Sequence, residues 1–433
     1  MTPQSSFMVL ATVDPRREAE LRRLLASMNR APGVVDPLNS LVAFGRLERL
    51  HFARFAILDD GTLDDIAAYG LPRVDYPVYL VLLGDVDGPA ETFLAEMAYA
   101  AGGGLHRIFS HCKDYAPDLD LLRWLRARSV APAANYVNWV GRTVVQIREE
   151  EALRQAMEGF IQENSGSLLV MTPRVARETL RQFVALEQQS GRIPLTPSAP
   201  TSLRWRLRDF LNLVGVPMLL LIFLPLLVLY LPFFVIQLRR RERSDPVIAP
   251  RVAPAQNRLL ASLEDHDVTN QFTAMGSLKP GWFRRLTIAA VLAAIDYTAR
   301  HIFNRGRLAR VTTIHFARWV FLDGGKRVIF ASNYDGSLES YMDDFINKVA
   351  FGLNVVFSNG IGYPRTNWLV LDGAKDEQPF KEFLRRHQLP TQVWYSANPG
   401  LTALDRKRNS LIREGLERES MSDSEILEWL QLF

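Results

Sequence analysis

The sequence predicts an α+β protein made of two copies of one βαββαβ unit, with a membrane segment inserted between them. Three observations predict this. Blocks of residues recur in the same order in both halves of the 433-residue chain, β-forming runs alternate with amphipathic helical runs in each half, and one uncharged apolar run lies between the halves. Leu-His-Phe-Ala-Arg-Phe-Ala-Ile-Leu-Asp at 50–59 returns as Ile-His-Phe-Ala-Arg-Trp-Val-Phe-Leu-Asp at 314–323. Residues 78–97 answer 327–346, and 105–115 answer 353–363. Tyr136, Gly141 and Thr143 recur as Tyr395, Gly400 and Thr402, each series followed by an Arg-rich helical run.

Taken in order, 6–13 is a strand, and 14–28 is an amphipathic helix entered through Asp14 and Pro15. The runs 51–58 and 77–84 are rich in β-formers and read as strands. A helix over 89–101 and a fourth strand over 105–112 complete the first copy. The second copy runs as a strand at 269–276, a long helix at 282–303, strands at 312–322 and 327–333, a helix at 338–350 and a strand at 353–359. This order is the split-βαβ, or ferredoxin-like, unit. Helices cover only one face of its sheet, so the two open faces are expected to pack together as a pseudo-twofold α+β barrel. The domain boundaries that follow are 1–160 for module 1, 161–203 for a helical connector, 204–243 for the membrane segment, 244–266 for a proline-bearing linker and 267–433 for module 2.

Composition narrows the function classes. With 48% hydrophobic residues the chain is neither disordered nor fibrous. Its 51 Lys+Arg against 47 Asp+Glu leave a charge of only +4, which is no argument for a nucleic-acid partner. A single cysteine, Cys112, excludes an intramolecular disulfide and multi-cysteine metal sites. The first 14 residues lack a basic stretch followed by an apolar run, so no cleavable signal peptide is expected. No HExxH, GxxxxGK[ST], post-strand GxGxxG or GxSxG pattern occurs, and no metal site is expected.

Residues 210–238 carry no charge, and a bilayer span needs about 20 apolar residues. Pro217, Pro225 and Pro232 punctuate the run, each removing a helix hydrogen-bond donor. Both flanks are basic: Arg204, Arg206 and Arg208 precede the run, and Arg239, Arg240, Arg241 and Arg243 follow it. Basic residues favour the cytoplasmic face, and paired modules must share one side. The expectation is a re-entrant hairpin breaking near Pro225, with both modules on the cytoplasmic side of a bacterial inner membrane. The alternative is a single span with each copy pairing across a homo-oligomer. The run 282–303 reads either as an amphipathic anchor or as a helix covering a sheet.

The candidates for chemistry are duplicated. Side-chain alternation places His51 and Arg54 on opposite faces of their strand, and His315 and Arg318 likewise. One of each pair then faces the interior, as a ligand-binding group or as a structural one. Asp87-Gly88 and Asp335-Gly336 stand where a strand turns into a helix, suited to capping that helix or to acid–base work at a cavity mouth. Glu91 and Glu339 suit the dipole of the first helical turn. His111 and Cys112, adjacent on the expected fourth strand, would diverge, and their counterparts are Asn359 and Gly360.

The duplicated unit with its His-Phe-Ala-Arg strands resembles the dimeric α+β-barrel superfamily. Within it the chain is similar to a bacterial membrane-associated family marked by the motifs at 315–319, 332–341 and 391–396, a likeness covering most of 5–160 and 267–415. The superfamily includes dye-decolourising peroxidases and chlorite dismutases, which bind haem. Gly84-Asp85-Val86-Asp87-Gly88 matches the GxxDG of dye-decolourising peroxidases, whose Asp acts on peroxide above the haem; Ser332-Asn333-Tyr334-Asp335-Gly336 lacks the first glycine. Of the site candidates the resemblance points only to Asp87; His51 and His315 are cofactor-binding candidates by strand position, with His111 beside them, and Asp335, Arg54 and Arg318 join Asp87 as catalytic candidates. Two readings follow. One is a non-catalytic protein attached to the lipid bilayer whose barrel holds an apolar or lipid-like small molecule; the other is a haem-dependent peroxidase-like oxidoreductase acting near the membrane.

Overall fold

The computed structural model describes residues 1–116 and 118–433. Its principal strands are β1 (Gln4–Thr12), β2 (Leu50–Leu58), β3 (Tyr79–Asp87), β4 (Ala134–Val137), β5 (Thr269–Ser277), β6 (Ile314–Leu322), β7 (Arg327–Asp335) and β8 (Thr391–Ser396). The helices that pack on them or connect them are α1 (Glu18–Ala26), α2 (Ala90–Phe109), α3 (Val144–Glu163), α4 (Leu203–Ser244), α5 (Trp282–His301), α6 (Leu338–Phe357) and α7 (Ala403–Glu417). The fold is α+β, as the sequence predicts. Two four-stranded sheets run in the orders β1-β3-β2-β8 and β4-β6-β7-β5, and every neighbouring pair is antiparallel.

The fourth strands differ from expectation. Residues 105–109 belong to α2 and 353–357 to α6, so neither 105–112 nor 353–359 is a strand. The true edge strands are the Tyr136 and Tyr395 segments, and each joins the sheet of the other half: Asn135 sits opposite Arg318, and Trp394 opposite Arg54. The helix expected to end at Ala101 does not stop there. The helix instead kinks at Ala101 (φ −126°, ψ 19°) and continues through Gly102, Gly103 and Gly104. A Cβ at Gly104 would lie 1.8 Å from the Leu41 carbonyl oxygen, so this glycine admits a close backbone approach rather than ending a helix.

Period-2 alternation sorts the core into layers. On β2, Ala53, Phe55 and Ile57 join a core with Leu21 and Leu25 of α1 and Phe93 and Met97 of α2. Ala56 and Leu58 face the other way, into a core shared with Met275, Val320, Leu322, Ile329 and Ala331 of the second sheet. Ile288 and Leu292 of α5 and Tyr341 and Phe345 of α6 cover that sheet's outer face. The layers therefore run helices, sheet, sheet, helices. α3 and α7, each following an exchanged strand, share a satellite core through Leu153, Met157, Ile412 and Leu416.

α4 overturns the hairpin. It is one unbroken helix from Leu203 to Ser244, 42 residues, with Pro217, Pro225 and Pro232 inside it. At 100° per residue the three prolines fall within about an 80° sector, so the missing hydrogen bonds lie on one side and favour bending over breakage. By length and composition this helix could cross a membrane.

Candidate functional site between the sheets

Both His-Phe-Ala-Arg strands carry a β-bulge at the histidine: the register shifts between Leu50 and Phe52 in β2 and between Ile314 and Phe316 in β6. A bulge adds one residue and re-aims a side chain. The expected separation of His and Arg onto opposite faces therefore fails. Arg54 enters the inter-sheet layer by alternation, and the bulge turns His51 toward the same seam, where its ring lies 5.5 Å from that of Phe316. The same holds for Arg318 and for His315, whose ring lies 5.4 Å from Phe52.

The two arginines tie sheet to sheet. Arg54 donates to the Phe272 and Ser332 carbonyls (each 2.9 Å), to Thr273 Oγ1 (2.8 Å) and to Asn333 Oδ1. Arg318 donates to the Phe7 carbonyl (2.8 Å) and the Gly84 carbonyl (3.1 Å), and pairs with buried Asp85. Burial, with Arg318 nearby, pushes the Arg54 guanidinium down to about 9. These hydrogen bonds engage both guanidinium groups in cross-sheet contacts. Gly84 has a packing reason too: a Cβ there would meet the Phe52 carbonyl oxygen at 2.5 Å and the Phe7 ring at 2.7 Å.

Asp87 and Asp335 cap helices, though not the ones that follow them. Asp87 accepts from His51 Nε2 at 2.8 Å and from the Val144 amide at 2.9 Å, the first residue of α3. Asp335 accepts from His315 Nε2 at 2.5 Å and from the Ala403 amide at 2.7 Å, the first residue of α7. Each carboxylate thus links a bulged histidine to the helix behind an exchanged strand. Gly88 (φ 73°) and Gly336 (φ 82°) adopt left-handed backbone at these turns. Burial lowers the His315 pKa, against the pull of Asp335.

A cavity of about 30 Å³ lies at this seam, lined by His51, His315, Phe316, Arg142, Arg406 and Ser410 among others. Arg406 stacks 5.3 Å from the centre of the Phe52 ring, and burial lowers its guanidinium to about 10. Its Nε and Nη2 are buried without a hydrogen-bond partner, as are His51 Nδ1 and Arg142 Nε. Arg406 and Arg142 went unnoticed in the sequence. Arg406 stands four residues after Thr402, where the first copy has Ile147 four residues after Thr143, so the repeat itself marks the asymmetry.

His111 is not part of this cavity. It lies in the turn after α2, with Nδ1 held by the Arg107 and Ile108 carbonyls at 3.0 and 3.1 Å and Nε2 3.5 Å from Glu20. Burial raises the thiol of its neighbour Cys112 to about 12. The residues present do not fit haem: both bulged histidines engage Nε2 with carboxylates, and small-molecule pockets run to about 300–1,000 Å³, far above the cavity here. Among the described residues no group of three or more His, Cys, Asp or Glu is placed to hold a metal ion. No protein family, curated protein or solved structure matches this chain.

The second notable surface is α4. Near its start, Asn212 Oδ1 meets His301 Nε2 at 2.8 Å, and the Leu213 carbonyl accepts from Tyr297 OH at 3.1 Å. Toward its end Phe233 stacks on Trp282 at 6.1 Å, and Phe234 lies 5.3 Å from Phe283. α4 therefore runs antiparallel along α5, which itself covers a sheet, so that alternative for 282–303 holds. Buried Glu242 accepts from Thr366 Oγ1 and from the Trp368 and Leu369 amides (2.7 to 3.1 Å). Asp245 takes Tyr69 OH, Lys279 Nζ and Arg284 Nη2 at 2.6 to 2.8 Å. Between these docked ends, every residue from Met218 to Leu229 is exposed. Arg206, Arg208 and Arg240 are exposed at the flanks, whereas Arg239 pairs with Glu242 and Arg241 lies over Phe283.

Proposed function

We propose that this chain is a membrane-attached protein whose apolar ligand is the bilayer itself, met by α4 lying along one leaflet. The observation that carries the reading is that both ends of α4 dock on one folded body while its middle is bare. Large exposed apolar patches rimmed by polar residues mark interaction sites, and here leucines such as Leu221 (69% exposed) and Leu229 (76% exposed) lie between arginine-bearing ends. A helix crossing the bilayer would have to place its ends on opposite faces. Docking at His301 and at Glu242 supports both ends lying on one side, and the positive-inside bias favours the cytoplasmic one. The body behind it is read as a duplicated ferredoxin-like unit closed as an α+β barrel of the superfamily it resembles. In support, the His–Asp pairs, bulges and cross-sheet arginines occur once in each half.

Vesicle flotation tests the attachment. The full chain is expected to float with liposomes of mixed zwitterionic and anionic lipid and to remain bound in high salt. Replacing Leu220, Leu224 and Leu227 together by Asp, all at exposed positions, removes burial of about 1.5–3 kcal/mol per leucine. Partitioning should fall at least tenfold with the fold intact by circular dichroism. Equal flotation of this variant would defeat the proposal.

A further inference from the structure

We infer that the seam between the sheets is a binding site for a small carboxylate, held by the side-on fork of Arg406. This goes beyond membrane attachment and does not depend on it. The two unpartnered atoms of Arg406 are Nε and Nη2, the pair whose N–H bonds point the same way and match the two oxygens of a carboxylate. Leaving a buried donor without an acceptor is destabilising, more so when it is charged, so the arrangement calls for an occupant.

The acids near Arg406 are engaged elsewhere. Asp335 holds His315 and the Ala403 amide, Asp405 holds Thr402 and Arg408, and Asp267 accepts from the Gly400 amide. Arg142, across the cavity, binds Glu150 and Glu414 through its terminal nitrogens and leaves Nε free. With Lys407 also on the wall, the unmet donors are cationic, and an anion satisfies them. A single water needs about 10–15 Å³, so a cavity of about 30 Å³ admits a compact head group of formate or acetate size.

Calorimetric titration of the full chain in detergent, at constant ionic strength, tests this with sodium formate, sodium acetate and sodium chloride. Saturable binding of at least one carboxylate is expected, at least tenfold tighter than chloride, because a spherical ion gains nothing from a fork. Arg406→Lys keeps the charge without the fork and should weaken carboxylate binding at least tenfold. No saturation with either carboxylate, chloride binding as tightly, or undiminished binding by the Lys variant would each overturn the inference. The carboxylate–chloride comparison uses the unaltered chain and stands even if Arg406→Lys fails to fold.

Discussion

Arg318 and Asp85 form a fully buried ion pair between the sheets, and removing one partner of such a pair strands the other charge. Arg318→Ala is therefore expected to cost about 3–5 kcal/mol, read as a lower midpoint in chemical denaturation. Adding Asp85→Ala should recover part of the loss, and a double variant no more stable than the single one would contradict the pairing. His315 makes a pH prediction. Burial lowers its folded pKa below the ordinary 6.5, so near that pH the unfolded chain binds more protons than the folded one. The contribution is present above 6.5 and is lost as pH falls toward the folded value. The slope of stability against pH just below 6.5 should flatten in His315→Asn; an unchanged slope would assign the titration elsewhere. Residue identities at the seam were legible from the duplicated motif. Their directions were not, because a bulge is a one-residue register change that leaves the alternation of the sequence looking intact.

At the scale of elements, the first three strands of each copy, the covering helices and the long apolar run could be read from periodicity, whereas the fourth strands and two terminations could not. The Gly102–Gly103–Gly104 run resembles a helix stop, yet α2 passes through it because Gly104 packs on the Leu41 backbone. Pro225 resembles a hairpin tip, yet α4 continues because a proline removes one hydrogen bond and bends a helix before it breaks one. Polar chemistry helps to hold α4 down at its C-terminal end. Burial raises the Asp245 pKa, but Lys279 and Arg284 more than reverse that and hold the carboxyl below its usual range. Asp245→Ala should leave those buried cations unpaired, cost about 3–5 kcal/mol and speed amide exchange over 238–245. Unchanged exchange there would mean that the aromatic contacts at Phe233 and Phe234 suffice.

For the whole molecule, the exchange of β4 and β8 matters most. Each sheet is completed by a strand from the other half, so a boundary drawn at residue 160 or 267 separates sequence but not structure. Exchange is a long-range pairing that local propensity does not reveal; the recurring Tyr136 and Tyr395 series marked the segments without showing which sheet each would join. Under the proposed attachment, halves interlocked in this way occupy one side of the bilayer that α4 meets. The most direct test uses impermeant maleimide on inverted and right-side-out membrane vesicles, with Arg206→Cys or Arg240→Cys placed singly in a Cys112→Ser chain. Both positions are expected to label from the same face and to resist from the other. Labelling of the two from opposite faces would contradict a helix that lies along the bilayer.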